Sequence, residues 1–348
     1  MMNTLKFSSN SRNVMRVRFQ LGLTLIELLV SLMLGLIVVL AATSLVVSTK
    51  TLFTAQTEGK DTQDTARFAL DNIAASLRQA GYVNYDFNNS PQITPETASS
   101  DISGLDANSV GATSTGIDTP TGSAVNFSDV LAVRYFGSGT GAGDGIVTNC
   151  AGFFVPAPVS PSTADQDRGW SIYYVANDAN KEPELLCKYY NATSGKWSAQ
   201  SIVKGVESFQ VLYGIDRSNP PDGTANQYLT ATAVNALDST LVLSGATPAE
   251  QKQDLNRKTY WKKISVVKVA MLVRGTQNSR IDKQTTQYDV FGSAYAAANG
   301  SNDKGTTIME SQLAADTKNR SRRIYTTTVQ VRNLCYVDTD RGTCLPPP

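Results

Sequence analysis

The chain has 348 residues, 41% of them hydrophobic and 18% charged, which is enough apolar sequence for a folded globular part. Its formal net charge is +1; with the four cations of the first 22 residues set aside, 27 basic residues face 30 acidic ones, a balance that excludes a generally cationic nucleic-acid-binding face. There is no histidine, which removes Ser-His and Cys-His catalysis and most zinc chemistry, and no nucleophile–base pair can be assembled, so the sequence supports neither an enzyme nor a cofactor.

Residues 1–22 carry Lys6, Arg12, Arg16 and Arg18 and no acid, and they end on Gly22. Residues 23–47 are apolar, with Glu27 as the only charge. At 1.5 Å per residue such a run spans a ~30 Å hydrocarbon core with some tilt. A carboxylate costs about 2.5–3.5 kcal/mol at the bilayer centre and less near an interface. A plain anchor would gain by losing Glu27, so a positive charge from outside this helix is the expected compensation; the alternative is a glutamate favoured by the helix dipole. The basic stretch resembles the start of a secretory signal, but no small-residue cleavage site follows Val47. With the basic end held in the cytoplasm, everything after Val47 lies across the membrane, in an oxidising compartment.

The helical pattern continues beyond the apolar run. No proline precedes Pro91, and Ala66, Leu70, Ile73, Leu77 and Ala80 recur at spacings of four and three. Gly81 is placed to cap the helix. Helix from Leu23 to about Ala80 would be ~87 Å long, and its outer half must pack against a head or leave its apolar face in water. Gly35 and Gly59 are weak points within it. Arg67 and Arg78 either bridge subunits or belong to a solvated face.

From Pro91 to about Phe127 the chain is rich in Ser, Thr, Gly, Ala and Asp and reads as loop. Strands follow at residues 130–135, 170–175, 185–190, 197–203, 206–213, 264–273 and 324–331, with a turn-rich Asn191-Ala-Thr-Ser-Gly-Lys196 suggesting a hairpin. The intervals 216–258 and 275–320 are polar and read as insertions with short helices. Cys150, Cys187, Cys335 and Cys344 form no C-x-x-C, so disulfides are expected. Four cysteines allow three pairings; the local one, Cys150–Cys187 with Cys335–Cys344, is preferred because the second pair closes a short terminal loop.

Three stretches invite chemistry. Gly137-Ser-Gly-Thr-Gly-Ala-Gly-Asp-Gly145 follows a strand but lacks the Gly-Lys-Ser/Thr ending of a phosphate loop, so a hairpin loop is the preferred reading. Asp216-Arg-Ser-Asn-Pro-Pro-Asp222-Gly223 has oxygens for calcium without the strict spacing of an EF-hand, and reads as a turn. Trp170, Trp197 and Trp261 either form a sugar-binding surface or pack in the core and its rim. No metal site is expected.

Gly22-Leu-Thr-Leu-Ile-Glu-Leu28, between a basic leader and an apolar run, resembles the N-terminus of type IV prepilins. The resemblance implies cleavage after Gly22 by a prepilin peptidase, methylation of the new N-terminal Leu23, and pairing of Glu27 with the N-terminal amine of a neighbouring subunit. Further blocks resemble PilW-type minor pilins: Arg67-Phe-Ala-Leu-Asp-Asn-Ile-Ala-Ala-Ser-Leu-Arg-Gln-Ala-Gly-Tyr82, Ser128-Asp-Val-Leu-Ala-Val-Arg-Tyr135, Leu186-Cys187, residues 204–216, and Arg323-Ile-Tyr-Thr-Thr-Thr-Val-Gln-Val-Arg-Asn333. The implied fold is α+β, a long N-terminal transmembrane and amphipathic helix packed on a β-sheet-rich periplasmic head. The implied organisation is a leader over 1–22, an assembly half-helix over 23–50, an amphipathic half-helix over 51–81, a polar loop region over 82–127 and a β-rich head over 128–348. The implied partners are the prepilin peptidase, other minor pilins, the major pilin, a tip adhesin and the inner membrane, with no nucleic acid. The implied function is priming of pilus assembly with incorporation at the tip; a J-type pseudopilin of type II secretion, or an anchored adhesive head, are the alternatives.

Overall fold

The structure, a computed structural model, describes residues 22, 24–82, 96–139, 143–160, 163–218, 222–280, 285–332, 336–337 and 344–345. Helix α1 runs over Leu25–Gln79, 55 residues, with no proline to interrupt it. It stops where Gly81 takes a left-handed φ of 66°, the conformation a glycine adopts without a Cβ penalty. There the Tyr82 N–H reaches back to the Gln79 carbonyl at 2.8 Å, and the Gly81 N–H leaves the helix for the Arg134 carbonyl at 3.1 Å.

The chain forms two compact units that divide between Phe53 and Thr54, within α1. In the first, every described residue through Lys50 is exposed. This part of α1 is long and apolar enough to cross a membrane, with a mean hydropathy of 2.7 over its most apolar window.

The second unit holds the rest of α1 and two antiparallel sheets. The first sheet is a meander of β1 (Ile102–Leu105), β2 (Val130–Tyr135), β3 (Gly169–Asn177, entered from the single turn α2, Ala164–Asp167), β4 (Pro183–Asn191) and β5 (Lys196–Lys204), in that order. The second takes β6 (Val206–Ile215), β7 (Gln227–Leu229), β8 (Ile264–Arg274) and, beyond a small hairpin of β9 (Gln287–Asp289) and β10 (Thr307–Met309), β11 (Arg322–Gln330); its order is β11-β8-β6-β7. The insertions carry short helices: α3 (Ala231–Asp238) and α4 (Pro248–Lys258) before β8, and α5 (Ser293–Asn299) between β9 and β10. A two-residue pairing of β12 (Tyr336–Val337) with β13 (Cys344–Leu345) lies near the C-terminus.

The core follows from the period-two pattern of the strands. β2 sends Leu131, Val133 and Tyr135 to the main cluster and Val130 and Ala132 to another on the opposite face; β8 sends Val267, Val269, Met271 and Val273 to the main cluster and Ala270 and Leu272 to a third. Burial on both faces is why these strands read as continuous apolar runs. Ala66, Ala69, Ile73, Ala74 and Leu77 of α1 are buried in the same main cluster, so the helical repeat of the sequence is the face that meets the sheets. Each fully buried aliphatic or aromatic side chain contributes about 1.5–3 kcal/mol. Polar bonds fix the register: the Tyr173 hydroxyl lies 2.7 Å from both Asn72 Oδ1 and Ser76 Oγ, and Asn72 Nδ2 donates to the Cys150 carbonyl at 3.2 Å.

One expectation fails here. The Ser/Thr/Gly-rich interval read as loop contains β1, paired with β2 from Ile102↔Val133 to Leu105↔Val130. Its Ile-Ser-Gly-Leu sequence hides the strand because Gly104 sits against the Tyr213 hydroxyl and the Val130 carbonyl, where a Cβ has no room. Residues 91–95 of that interval lie outside the described residues.

Candidate functional site

The first feature is the start of α1. Thr24 precedes the helix, and its hydroxyl accepts from the Glu27 N–H at 3.3 Å. Glu27 Oε2 in turn accepts from the Thr24 N–H and the Thr24 hydroxyl, both at 3.0 Å. This reciprocal pair is a capping box, which satisfies amides that the first turn of a helix leaves unpaired. The Thr-x-x-Glu spacing announces it in the sequence, beside the outside charge and the helix dipole as ways to compensate Glu27. Part of its need is met within the chain by Thr24. Among the described residues no cation lies within ion-pair distance of the carboxylate, and Glu27 is exposed. Gly22 is exposed too, and a Cβ there would meet nothing within 4 Å, so among the described residues no neighbour demands glycine at that position. Leu23 lies outside the described residues.

The second feature is the disulfide Cys150–Cys187, with Cα atoms 5.8 Å apart and both residues buried. It joins the segment after the glycine loop to the middle of β4. Closing 37 residues of sequence stabilises the fold by about 4 kcal/mol on the chain-entropy relation. Cys335 lies outside the described residues, as does the side chain of Cys344, so the second expected pair is placed only as far as the β12–β13 backbone pairing.

The remaining expectations sort themselves by burial. Asp216 turns its carboxylate onto its own loop, accepting from the N–H groups of Ser218, Asp222 and Gly223 at 2.9, 2.9 and 2.6 Å. Burial raises its pKa, but these donors outweigh burial and hold it below the usual carboxylate range. The oxygens offered for calcium are thus committed to a turn. In the glycine loop, Ser138 Oγ donates to Asp144 Oδ1 at 2.5 Å and closes the segment on itself; residues 140–142 lie outside the described residues. Arg67 pairs with Asp71 at 3.8 Å on an exposed face. The tryptophans divide: Trp261 is buried, donates to Asn235 Oδ1 at 2.8 Å and meets Tyr213 edge-on, whereas Trp170 and Trp197 are half-buried and meet each other at 5.7 Å.

Sequence reasoning missed a buried ion network entirely. Glu207 accepts from Arg274 at 3.1 Å and from Arg322 at 2.6 and 3.0 Å; Arg274 also pairs with Glu182, and Glu310 pairs with Arg280 and Arg322. These residues come from β6, β8 and β11, from the turn between β3 and β4, and from the segments either side of the β9–β10 pair, spread over residues 182–322, so no local pattern signals it.

This head is also where the chain meets a known family. The family model PilW, Type IV Pilus-assembly protein W, matches residues 172–333. The match covers a little under half of the chain and supports a PilW-family type IV pilus protein. The matched region runs from β3 to just past β11 and includes the whole second sheet, the ion network and Cys187. No curated protein and no solved structure matches the chain. The match points to type IV pilus assembly, and the structure itself shows the α+β pattern of one long apolar N-terminal helix and a sheet-rich head.

Proposed function

We propose that this PilW-family chain is a non-enzymatic minor pilin that helps prime type IV pilus assembly and is built into the filament at its tip. The observation that carries the reading is the N-terminal arrangement: a basic leader ending on an exposed Gly22, then an exposed apolar helix whose one charge, Glu27, sits in the first turn. The prepilin peptidase cuts after Gly22 in the cytoplasmic leaflet, and Leu23 becomes the methylated N-terminus. The head faces the periplasm, where Cys150–Cys187 forms. Extraction from the inner membrane exchanges lipid contacts for neighbouring apolar helices. Glu27 keeps its Thr24 cap and adds the N-terminal ammonium of an adjacent pilin to a carboxylate that has one oxygen, Oε1, outside the cap. The partners on this reading are other minor pilins, the major pilin and a tip adhesin, and the phenotype is loss of pilus-dependent adhesion and twitching motility.

The family match to pilus-assembly proteins favours the pilus over a type II secretion pseudopilin. Deletion of the gene followed by a count of surface pili tests the role. Few pili with retraction intact, and partial recovery when retraction is blocked, is the pattern of an initiation defect. Wild-type pilus numbers in the deletion strain would contradict it.

A further inference from the structure

The head carries a cleft of about 590 Å³ that pilus assembly does not call for. It opens between the first sheet and the α2 turn. On the sheet stand Arg134 of β2, Trp170 of β3, Tyr190 of β4 and Trp197 of β5, and the segment from Asp165 to Arg168 completes the lining. Cavities of about 300–1,000 Å³ with aromatic walls and a few fixed polar groups are the usual form of a small-ligand site.

Each tryptophan ring has a cation over its face. The Arg134 guanidinium lies 4.2 Å from the centre of the Trp170 ring, and the Lys188 ammonium 5.2 Å from that of Trp197. Trp170 and Trp197 meet edge-to-face at 5.7 Å, and Tyr190 tilts against Trp197 at 5.6 Å. Lys188 is fully buried and donates to Ser114 Oγ at 2.9 Å and the Gly116 carbonyl at 2.6 Å, which fixes the loop whose Thr115 also lines the cleft. Such cation–π and aromatic contacts contribute roughly 0.5–2 kcal/mol each and favour this arrangement of the rings. Even so, Tyr190 is 42% exposed, and Phe154, also at the cleft, is 64% exposed.

The charges of the cleft are spent on one another. Arg134 bonds Asp165 at 3.0 Å and Ser99 at 2.5 Å; Arg168 bonds Asp101 at 2.5 Å and Ser99 at 2.8 Å and also pairs with Asp165. Two arginines and two aspartates line the cavity, so their formal charges cancel; Asp167 accepts from the Val159 N–H at 2.9 Å and the Thr163 hydroxyl at 2.8 Å. Nucleic acid strands need a cationic track beside their stacking platforms, and a hydrophobic peptide needs a groove without committed ion pairs. What matches stacked aromatic faces beside neutralised hydrogen-bonding groups is a molecule with an apolar C–H face and a rim of uncharged hydroxyls.

We propose that this cleft binds an uncharged saccharide, one or two pyranose rings of a surface glycan, packed on Trp197 and Tyr190 with its hydroxyls toward Gln166 and Asp167. The inference goes beyond the assembly role and does not depend on it.

The test uses the full processed chain in a zwitterionic detergent, since sugar-headed detergents would compete. An array of neutral and acidic glycans gives the binders, and tryptophan fluorescence then follows titration with the best neutral one. The expected result is saturable binding of a neutral glycan, weakened at least tenfold by Trp197→Ala and by Tyr190→Ala, less by Trp197→Phe, and unchanged by Val242→Ala on another exposed surface. Tyr190→Ala removes an exposed ring, so it reports on the cleft even if Trp197→Ala fails to fold. No binder, binding confined to acidic glycans, or affinity indifferent to Tyr190→Ala would overturn the proposal. In cells the Tyr190→Ala strain should carry normal pilus numbers; their loss would make the cleft an assembly contact instead of a glycan site.

Discussion

Glu207→Gln removes one charge from the middle of the buried ion network while keeping its shape. In the native head the Glu207 side chain is 3% exposed and is faced by Arg274, at 3%, and Arg322, at 0%. Losing the carboxylate leaves Arg274 with Glu182 and Arg322 with Glu310 at 3.4 Å, and turns an amide N–H toward guanidinium groups that can only donate. Breaking a buried pair from one side costs about 3–5 kcal/mol; here both guanidinium groups stay buried, each with one of its carboxylate partners gone. The unit from Thr54 onward holds roughly 300 residues, so its unfolding entropy is about 0.6 kcal/mol per kelvin and each kcal/mol moves the melting point about 1.6 °C. The expected drop is therefore about 5–8 °C in a thermal melt followed by near-ultraviolet circular dichroism of the full chain in detergent. Combined with Arg322→Gln the losses should fall short of additive, since the two residues share one interaction. A drop under about 1 °C would refute the reasoning: the network would then be a surface feature with no grip on the sheet.

Other consequences are as specific. Glu27→Ala should insert and be processed normally yet fail to co-purify with other pilins from sheared filaments; recovery at wild-type levels would remove the assembly role given to that carboxylate. Gly59→Ala should stabilise α1 by about 1 kcal/mol in a denaturant melt, because the added methyl meets only the end of Arg323 at 3.6 Å; destabilisation would mean the helix needs that glycine. Asp303 is raised to about 6 by burial, opposed by a hydrogen bond from the Tyr295 hydroxyl and aided by the charge of Asp106. An unfolded aspartate titrates near 4, so the folded head holds a proton the unfolded chain releases, and the associated stability is full below about pH 4 and lost as pH rises through 6. Asp129, raised by its burial, acts in the same sense. Asp303→Asn should flatten the melting point between pH 4 and 6, and an unchanged slope would contradict the assignment.

Much of this fold is written locally. The apolar run, the four-and-three repeat over residues 66–80 and the glycine after it specify α1 and its end, and the long double-faced strands around Val133 and Val269 stand out because both of their faces are buried. The cysteine pair Cys150–Cys187 was reachable because its residues lie close enough in sequence for the local pairing to be preferred. β1 was not legible, because its Gly104 is dictated by Tyr213, a residue far along the chain. The capping boxes Thr24-x-x-Glu27 and Thr247-Pro-x-Glu250 were legible and passed over, the second inside an interval read as largely irregular. The ion network and the divergent fates of the three tryptophans depend on which strands become neighbours, and composition cannot reveal that. Trp261 becomes core and Trp170 and Trp197 become a cleft wall only through the sheet order.

The most direct measurement is the mass of the N-terminal peptide of this chain recovered from membranes and sheared pili. A peptide that begins with N-methylated Leu23, and that disappears in favour of intact precursor when Gly22 is replaced by a bulky residue, is the expected outcome. A chain that still begins at the initiator methionine, or one cut beyond Val47, would leave Glu27 without a neighbouring terminal ammonium and would contradict its place in a filament.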